Sequence, residues 1–221
     1  MFNWMFLRRL GVVMNWSGAL VLLFFSDAVL AQPQSVEPWQ TVSESSQHFI
    51  QTIDALRAER KGAAITEEMV NSVLDSLTPI VDFGGIATAV MGSFSGQATA
   101  DQMVEFSHVF KVTMARLYLN SLLNFDISRI NVEPAPAGFD PASGRASVQI
   151  TAIDSKNNEY LMRYSLRTNQ DGEWRILNII VEGVNLGLTY MNQFDSAMQR
   201  YGSIDRVIAN WQEEAQSVDT R

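Results

Sequence analysis

Groups that could do proton-transfer or covalent chemistry are few in this chain, and none sits with a second that would complete a site. His48 and His108 lie far apart, each in a helical pattern, and neither belongs to an HExxH or other metal-ligand spacing. Both read as solvated or core-edge histidines. Gly92-Ser93-Phe94-Ser95-Gly96 has the outline of a nucleophile elbow, but Phe94 holds the central position where an elbow needs its Ser. Asp154-Ser155-Lys156-Asn157-Asn158-Glu159 resembles a calcium loop at first sight. Lys156, and the lack of the required Gly and distal Glu, make it a surface hairpin instead. Asp75, Asp82 and Asp126 are candidate bases only in the sense that any carboxylate is. No glycine loop suits a phosphate, and zero Cys excludes thiol chemistry and disulfides. The inventory reads as a protein that is not an enzyme and holds no metal or cofactor.

Apolar side chains, by contrast, are abundant. Met69, Met91, Met103, Met114, Met162, Met191 and Met198 join many Phe and Tyr. Met specifies shape poorly in a packed core. It suits a cavity for a flexible apolar ligand. A well-filled core could use the same residues, so composition leaves both readings open.

The first residues read as a targeting segment. Arg8 and Arg9 precede a largely apolar run over 12–25, and Ala28-Val29-Leu30-Ala31 offers small or short residues to a signal peptidase. The expectation is a cleaved secretory signal over 1–31, taking the general export route. The run is short for a bilayer span and holds Asn15 and Ser17. Residues 32–221 then form a single domain of 190 residues. The whole chain has 16 basic and 24 acidic residues, net −8. Losing Arg8, Arg9 and Asp27 leaves 14 and 23, net −9. That balance argues against nucleic acid and anionic lipid surfaces as partners.

The stretch 99–125 organises the rest. Thr99 and Gln102 form a capping box, and Met103, Phe106, Phe110, Met114 and Leu117 follow at helical spacing. Before it come a helix over about 39–60, a second capped by Thr66, and a third over 80–91 led by Thr78-Pro79. Gly84-Gly85 inside the third allows a close approach to its backbone. After 125 the period falls to two, giving four strands. Asn157-Asn158 and Asp171-Gly172 provide tight turns, and 134–144 a longer loop. No connection can hold a crossover helix, so the sheet is an antiparallel meander. Two helices end the chain, one from Val184 to a Gly202 stop and one capped by Ser203. Four helices, four strands and two helices make an α+β fold with helices on one sheet face.

Three stretches together resemble the MlaC family, periplasmic phospholipid-binding components of the Mla lipid-transport system, also known as toluene-tolerance auxiliary proteins. They are Val81-Asp82-Phe83 through Met91-Gly92-Ser93-Phe94 with Ala98-Thr99-Ala100-Asp101-Gln102; Phe106, Phe110, Arg116 and Tyr118; and Trp174-Arg175-Ile176 with Val181-Glu182-Gly183-Val184-Asn185-Leu186, Tyr190, Gln193-Phe194 and Gly202. Ser95 stands where the family usually has Trp, Asn178 where it has Asp, Asn185 where it has Ser, and Met191 where it has a basic residue. This chain is also acidic where members are often basic.

The resemblance implies a monomeric shuttle with phospholipid as cargo. It would exchange lipid between an outer-membrane lipoprotein complex and an inner-membrane ABC transporter bearing an MCE-domain subunit, so maintaining outer-membrane lipid asymmetry. Each methylene taken from water is worth about 0.8 kcal/mol, so two exposed chains of ~16 carbons would cost on the order of 20 kcal/mol. A carrier must replace that contact, and an apolar cavity between sheet and helices would do so. The expected lining is Phe83, Val90, Phe106, Phe110, Met114, Val148, Ile150, Met162, Tyr164, Ile176, Val184, Leu188 and Met191. The alternatives are a periplasmic ketosteroid-isomerase-like enzyme, a binder of small apolar ligands and a protein-interaction module. The enzyme needs a titratable group inside the cone, where only Tyr164 is placed. The interaction module needs a filled interior and an exposed apolar patch.

Overall fold

The computed structural model describes residues 37–60 and 62–219. The expected signal segment and its cleavage point lie outside the described residues. Four helices come first: α1 (Pro38–Arg60), α2 (Glu67–Leu77), α3 (Phe83–Met91) and α4 (Ala100–Asn124). Five strands follow: β1 (Ile127–Val132), β2 (Arg145–Asp154), β3 (Glu159–Thr168), β4 (Trp174–Val181) and β5 (Val184–Asn185). Helices α5 (Leu186–Tyr201) and α6 (Ile204–Asp219) complete an α+β fold.

Side-chain oxygens start the helices where orphan backbone N–H groups need acceptors. Thr66 Oγ1 accepts from Met69 N at 3.3 Å. Thr99 Oγ1 accepts from Gln102 N at 3.2 Å, and the Gln102 side chain accepts from Thr99 N at 3.0 Å, so the capping box read from the sequence opens α4. Asn185 Oδ1 accepts from Leu188 N at 3.0 Å. Gly202, at φ 72°, ends α5 and donates to Met198 O at 2.9 Å.

Two elements differ from the sequence reading. The third helix begins at Phe83, not near Ile80. Ile176 N donates to Ile80 O at 2.7 Å and Asp82 N donates to Ile176 O at 3.0 Å. These strand-like bonds hold the chain extended beside β4 until Asp82 caps Gly85 N at 2.8 Å. The sheet also has a fifth, two-residue strand. Glu182 (φ 49°) and Gly183 (φ 82°) make a two-residue turn that folds Val184 back against Val181, so Val184 is a strand residue and α5 starts two positions later.

The strand order is β1-β2-β3-β4-β5, every pair antiparallel, as the meander requires. Register aligns one apolar row across all five strands: Val132, Ile150, Met162, Val181 and Val184. The next rows are Val148, Tyr164 and Ile179, then Ala146, Leu166 and Ile176. A bulge makes this possible. Ser165 faces Asn178 and Leu166 faces Ile176, which leaves Leu177 as the extra residue of β4. Leu177 is then free to press on α3, where its Cδ2 lies 2.8 Å from the place a Cβ on Gly85 would take. The close approach expected at the glycine pair is to this side chain and to the Asp82 cap.

The outward face carries the polar partners of each row. Arg145, Arg167 and Arg175 stand directly opposite one another. Arg175 pairs with Glu173 at 2.6 Å, whereas Arg145 and Arg167 have no ion pair among the described residues. Like charges in register destabilise a sheet. Arg167→Glu should therefore raise stability by about 0.5 kcal/mol at low salt, with the gain shrinking near 1 M salt. Urea unfolding at both salt levels checks this, and a loss of stability at low salt would contradict the register.

Candidate functional site

The inward face of the sheet is a continuous apolar surface built by strand alternation. Val148, Ile150, Leu166 and Ile176 are buried, and Ile130, Val132, Ala146, Met162, Tyr164 and Ile179 are part-buried around them. Val42, Ile80 and Trp174 join the same cluster. The helices keep two clusters of their own. Phe106, Phe110, Tyr190, Phe194 and Trp211 pack as an aromatic group between α4, α5 and α6, with Phe106 at 5.0 Å from both Phe194 and Trp211 between ring centroids. Ile53, Leu56, Met69, Val70, Val73, Leu74 and Leu119 join α1, α2 and α4. The sheet's buried cluster takes in Val42 of α1 but, among the described residues, no buried residue of α4, α5 or α6.

Packing between elements shows why. Helix α4 rests on α1, α2, α3 and α6, while the sheet is packed by α1 on β1 and β2 and by α3 and α5 on β4. On the sheet's middle strands Met162, Tyr164, Ile179 and Val181 stay part-buried, whereas Val148 and Ile150 are fully covered. Trp39, Phe139 and Trp174 close one end, with ring centroids 4.6 Å and 6.2 Å apart. At the other end Val184 (53% exposed) and Leu188 (48% exposed) form an apolar rim. Two hollows lie elsewhere. One of about 10 Å³ is lined by Phe49, Ile53, Leu122, Phe125 and Ile127 among others. An open groove of about 480 Å³ runs between α3 and α4 past Thr88, Met103, Val104 and Lys111.

The thirteen residues expected to line one cavity are divided by the structure. Val148, Ile150, Met162, Tyr164 and Ile176 share the sheet's inward face. Val184 and Leu188 stand at the rim. Met191 packs on Gly92, its Cγ 3.4 Å from where a Cβ would sit. Phe83 packs against the α1–α2–α4 cluster. Val90, Phe106 and Phe110 are buried within the helical cluster, with Met114 against it. Helical spacing marks a buried stripe without saying whether it meets another helix or a ligand. The sequence reading omitted Ile179 and Val181 from the inward face, because the bulge at Leu177 reverses the alternation there. A strand apolar on both faces was the available signal.

Titratable groups lie mostly off this face. His48 and His108 are exposed. Glu214 is buried between α5 and α6, where it accepts from Gln193 Nε2 at 2.8 Å and Tyr201 Oη at 3.0 Å and pairs with Arg200. Asp154 clasps its turn, accepting from Asn158 Nδ2 at 2.7 Å and from the Lys156 and Asn158 backbone at 2.8 Å. Its bond to the Asn158 side chain holds its carboxyl below the usual range. Among the described residues no group of His, Cys, Asp or Glu could hold a metal. Tyr160, in register with Ala152 and Ile130, and Tyr164 are titratable groups on the inward face, and burial pushes the Tyr164 phenol up to about 12.

That shift has a sign. The unfolded chain's phenol ionises near 10.0 and the folded one near 12. Stability is whole below pH 10 and falls as pH rises between the two. Tyr164→Phe should lessen that alkaline loss, seen as a shallower fall in the urea midpoint above pH 10. An unchanged slope would contradict the burial of the phenol.

Comparison with known proteins places the fold. The family model described as MlaC protein matches residues 45–213. The toluene tolerance protein ttg2D of Pseudomonas putida is 37% identical over 137 residues, 61% of this chain and 62% of that protein. An intermembrane phospholipid transport system binding protein, MlaC of Haemophilus influenzae, is 21% identical over 145 residues, 65% of this chain and 66% of that one. The chain thus spans a little under two thirds of each of these relatives. The crystallised phospholipid-binding protein of Ralstonia solanacearum, in complex with a phospholipid, shares the fold at a TM-score of 0.68. It is 23% identical, and the match covers 81% of this chain and 97% of that one.

Two of the departures noted in the sequence have local explanations. Asn178 Oδ1 accepts from Gly187 N at 3.0 Å at the start of α5, a bond that an Asp carboxylate would also make. Asn185 caps the same helix with an oxygen that a Ser would also supply. Asn178→Ala should cost about 1 kcal/mol in urea unfolding, while Asn178→Asp should hold or add stability at the helix N-terminus. Equal losses in both variants would contradict this role.

Proposed function

The chain belongs to the MlaC family, and from that premise we propose that it is a periplasmic phospholipid carrier. It holds acyl chains against the inward face of the sheet and passes lipid between an outer-membrane lipoprotein complex and an inner-membrane ABC transporter with an MCE-domain subunit. It acts as a monomer and catalyses no reaction.

One observation carries this reading. The sheet's inward rows leave Val132, Met162, Tyr164, Ile179 and Val181 only part-buried, beside the exposed Val184 and Leu188. Such a face must be kept from water, at about 25 cal/mol for each Å² of apolar surface. Hydrocarbon chains entering between sheet and helices supply that cover and are themselves desolvated. Val132, Val148, Ile150, Met162, Tyr164, Ile176, Ile179 and Val181 form the floor. Phe83, Met114 and Met191 face the helical side, and the exposed Val184 and Leu188 form the entrance. Phe106, Phe110 and Val90 act indirectly, by keeping α4 and α3 in place. The headgroup stays in solvent. None of the helices among the described residues is long and apolar enough to cross a membrane, which suits a shuttle made to leave one bilayer for another.

The enzyme alternative finds little support. The buried carboxylate Glu214 lies between α5 and α6, and Asp154 closes the turn at the end of β2; both are already hydrogen-bonded. Neither is poised to move a substrate proton.

Native mass spectrometry of protein purified from the periplasm should show one or two phospholipid masses bound. Repeated lipid-free spectra, with refusal of added lipid, would overturn the proposal. Met162→Lys puts a charge on the floor and should reduce loading at least tenfold while the circular dichroism spectrum stays native. Undiminished loading would remove the sheet face from the site.

A further inference from the structure

Tyr164 sits at the centre of the inward face, on the middle strand, with Val148 on one side and Ile179 on the other. The neighbouring rows are apolar in every strand. Four of the five tyrosines have hydroxyl partners: Tyr118 with Tyr190 at 2.6 Å, Tyr160 with Asp154 at 3.3 Å, and Tyr201 with Glu214 at 3.0 Å. The Tyr164 hydroxyl has none among the described residues, although the side chain is part-buried. Its hydroxyl is not sealed in the core, so it is open to a ligand that meets the inward face.

We infer that Tyr164 is the one polar reader inside the lipid site, donating a hydrogen bond from its hydroxyl to an ester carbonyl of the cargo. This deepens the carrier reading and rests on it. The chemistry selects the ester. Inside the site a phospholipid offers acceptors at its two ester carbonyls and nowhere along its chains. Its phosphate would call for a cation, and the rows of the inward face hold no Lys, Arg or His. The depth agrees as well. Tyr164 is two residues along β3 from Met162, whose row ends at the exposed Val184. Two strand residues span about 7 Å, a short step inward from the rim, where esters lie just below a solvated headgroup. With its phenol pushed up to about 12 by burial, Tyr164 remains a donor at any physiological pH.

The site should therefore distinguish ester-linked from ether-linked lipids of the same headgroup and chain length. Delipidated protein is offered an equimolar mixture of diacyl and dialkyl phosphatidylglycerol, and the bound ratio is read by native mass spectrometry. The expected result for the unaltered protein is about fivefold preference for the diacyl lipid, the fold-change of one net hydrogen bond. Tyr164→Phe should bind the two equally. Equal uptake by the unaltered protein, a measurement that needs no variant, overturns the inference while leaving the carrier reading intact. So does a preference that survives Tyr164→Phe. Uptake of neither lipid overturns the carrier reading itself, and this inference with it.

Discussion

The rest of the structure depends on how an apolar sheet face is kept from water. Most α+β domains solve this by interdigitating the sheet with the helices above it into one core. Here the longest helix, α4, is committed to other helices, and the sheet is packed by α1 on β1 and β2 and by α3 and α5 on β4. The sheet's cluster recruits Val42 and Trp39 of α1, whereas α4, α5 and α6 hold together through their own side chains. The helical layer has an aromatic cluster around Trp211, which is fully buried. The sheet has its cross-strand rows and the Trp39–Phe139–Trp174 group at one end. On the proposed reading the part-buried side chains at Met162, Tyr164, Ile179 and Val181 mark where a third party is accommodated.

The local devices serve that division. The bulge at Leu177 keeps β4 apolar on its inward side along its length, and it sends one leucine toward α3. Gly85 admits that leucine, so a small residue on one element and an extra residue on the other bring helix and sheet edge together. Asn178 and Asn185 then fix the start of α5 against the end of β4, beside the exposed Val184 and Leu188. The rim is thus set by capping hydrogen bonds on one strand and one helix.

Much of this was legible in the sequence. The Thr99–Gln102 box, the Asp171-Gly172 turn and the alternation in β2 and β3 each have a local cause, so the α+β order and the meander could be read from them. The start of α3 could not, because Pro79 suits a first helical turn and only the distant Ile176 holds Ile80 and Asp82 extended. The two-residue strand at Val184 was masked by a helical pattern that continues through it. For the site, alternation placed Val148, Ile150, Met162 and Tyr164 together, since a strand has only two faces. Helical spacing failed for Phe106 and Phe110, whose neighbours are Phe194, Tyr190 and Trp211, eighty or more positions onward.

The most direct test of the account asks where the chains lie. A phospholipid with a diazirine near the middle of one acyl chain is loaded into the protein, photolysed, and the labelled peptides are mapped by mass spectrometry. The account predicts labels on β2, β3 and β4, centred on Val148, Met162 and Ile179. Labels confined to the open groove at Thr88, Met103 and Val104 would contradict it, because the hydrocarbon would then bypass the sheet altogether.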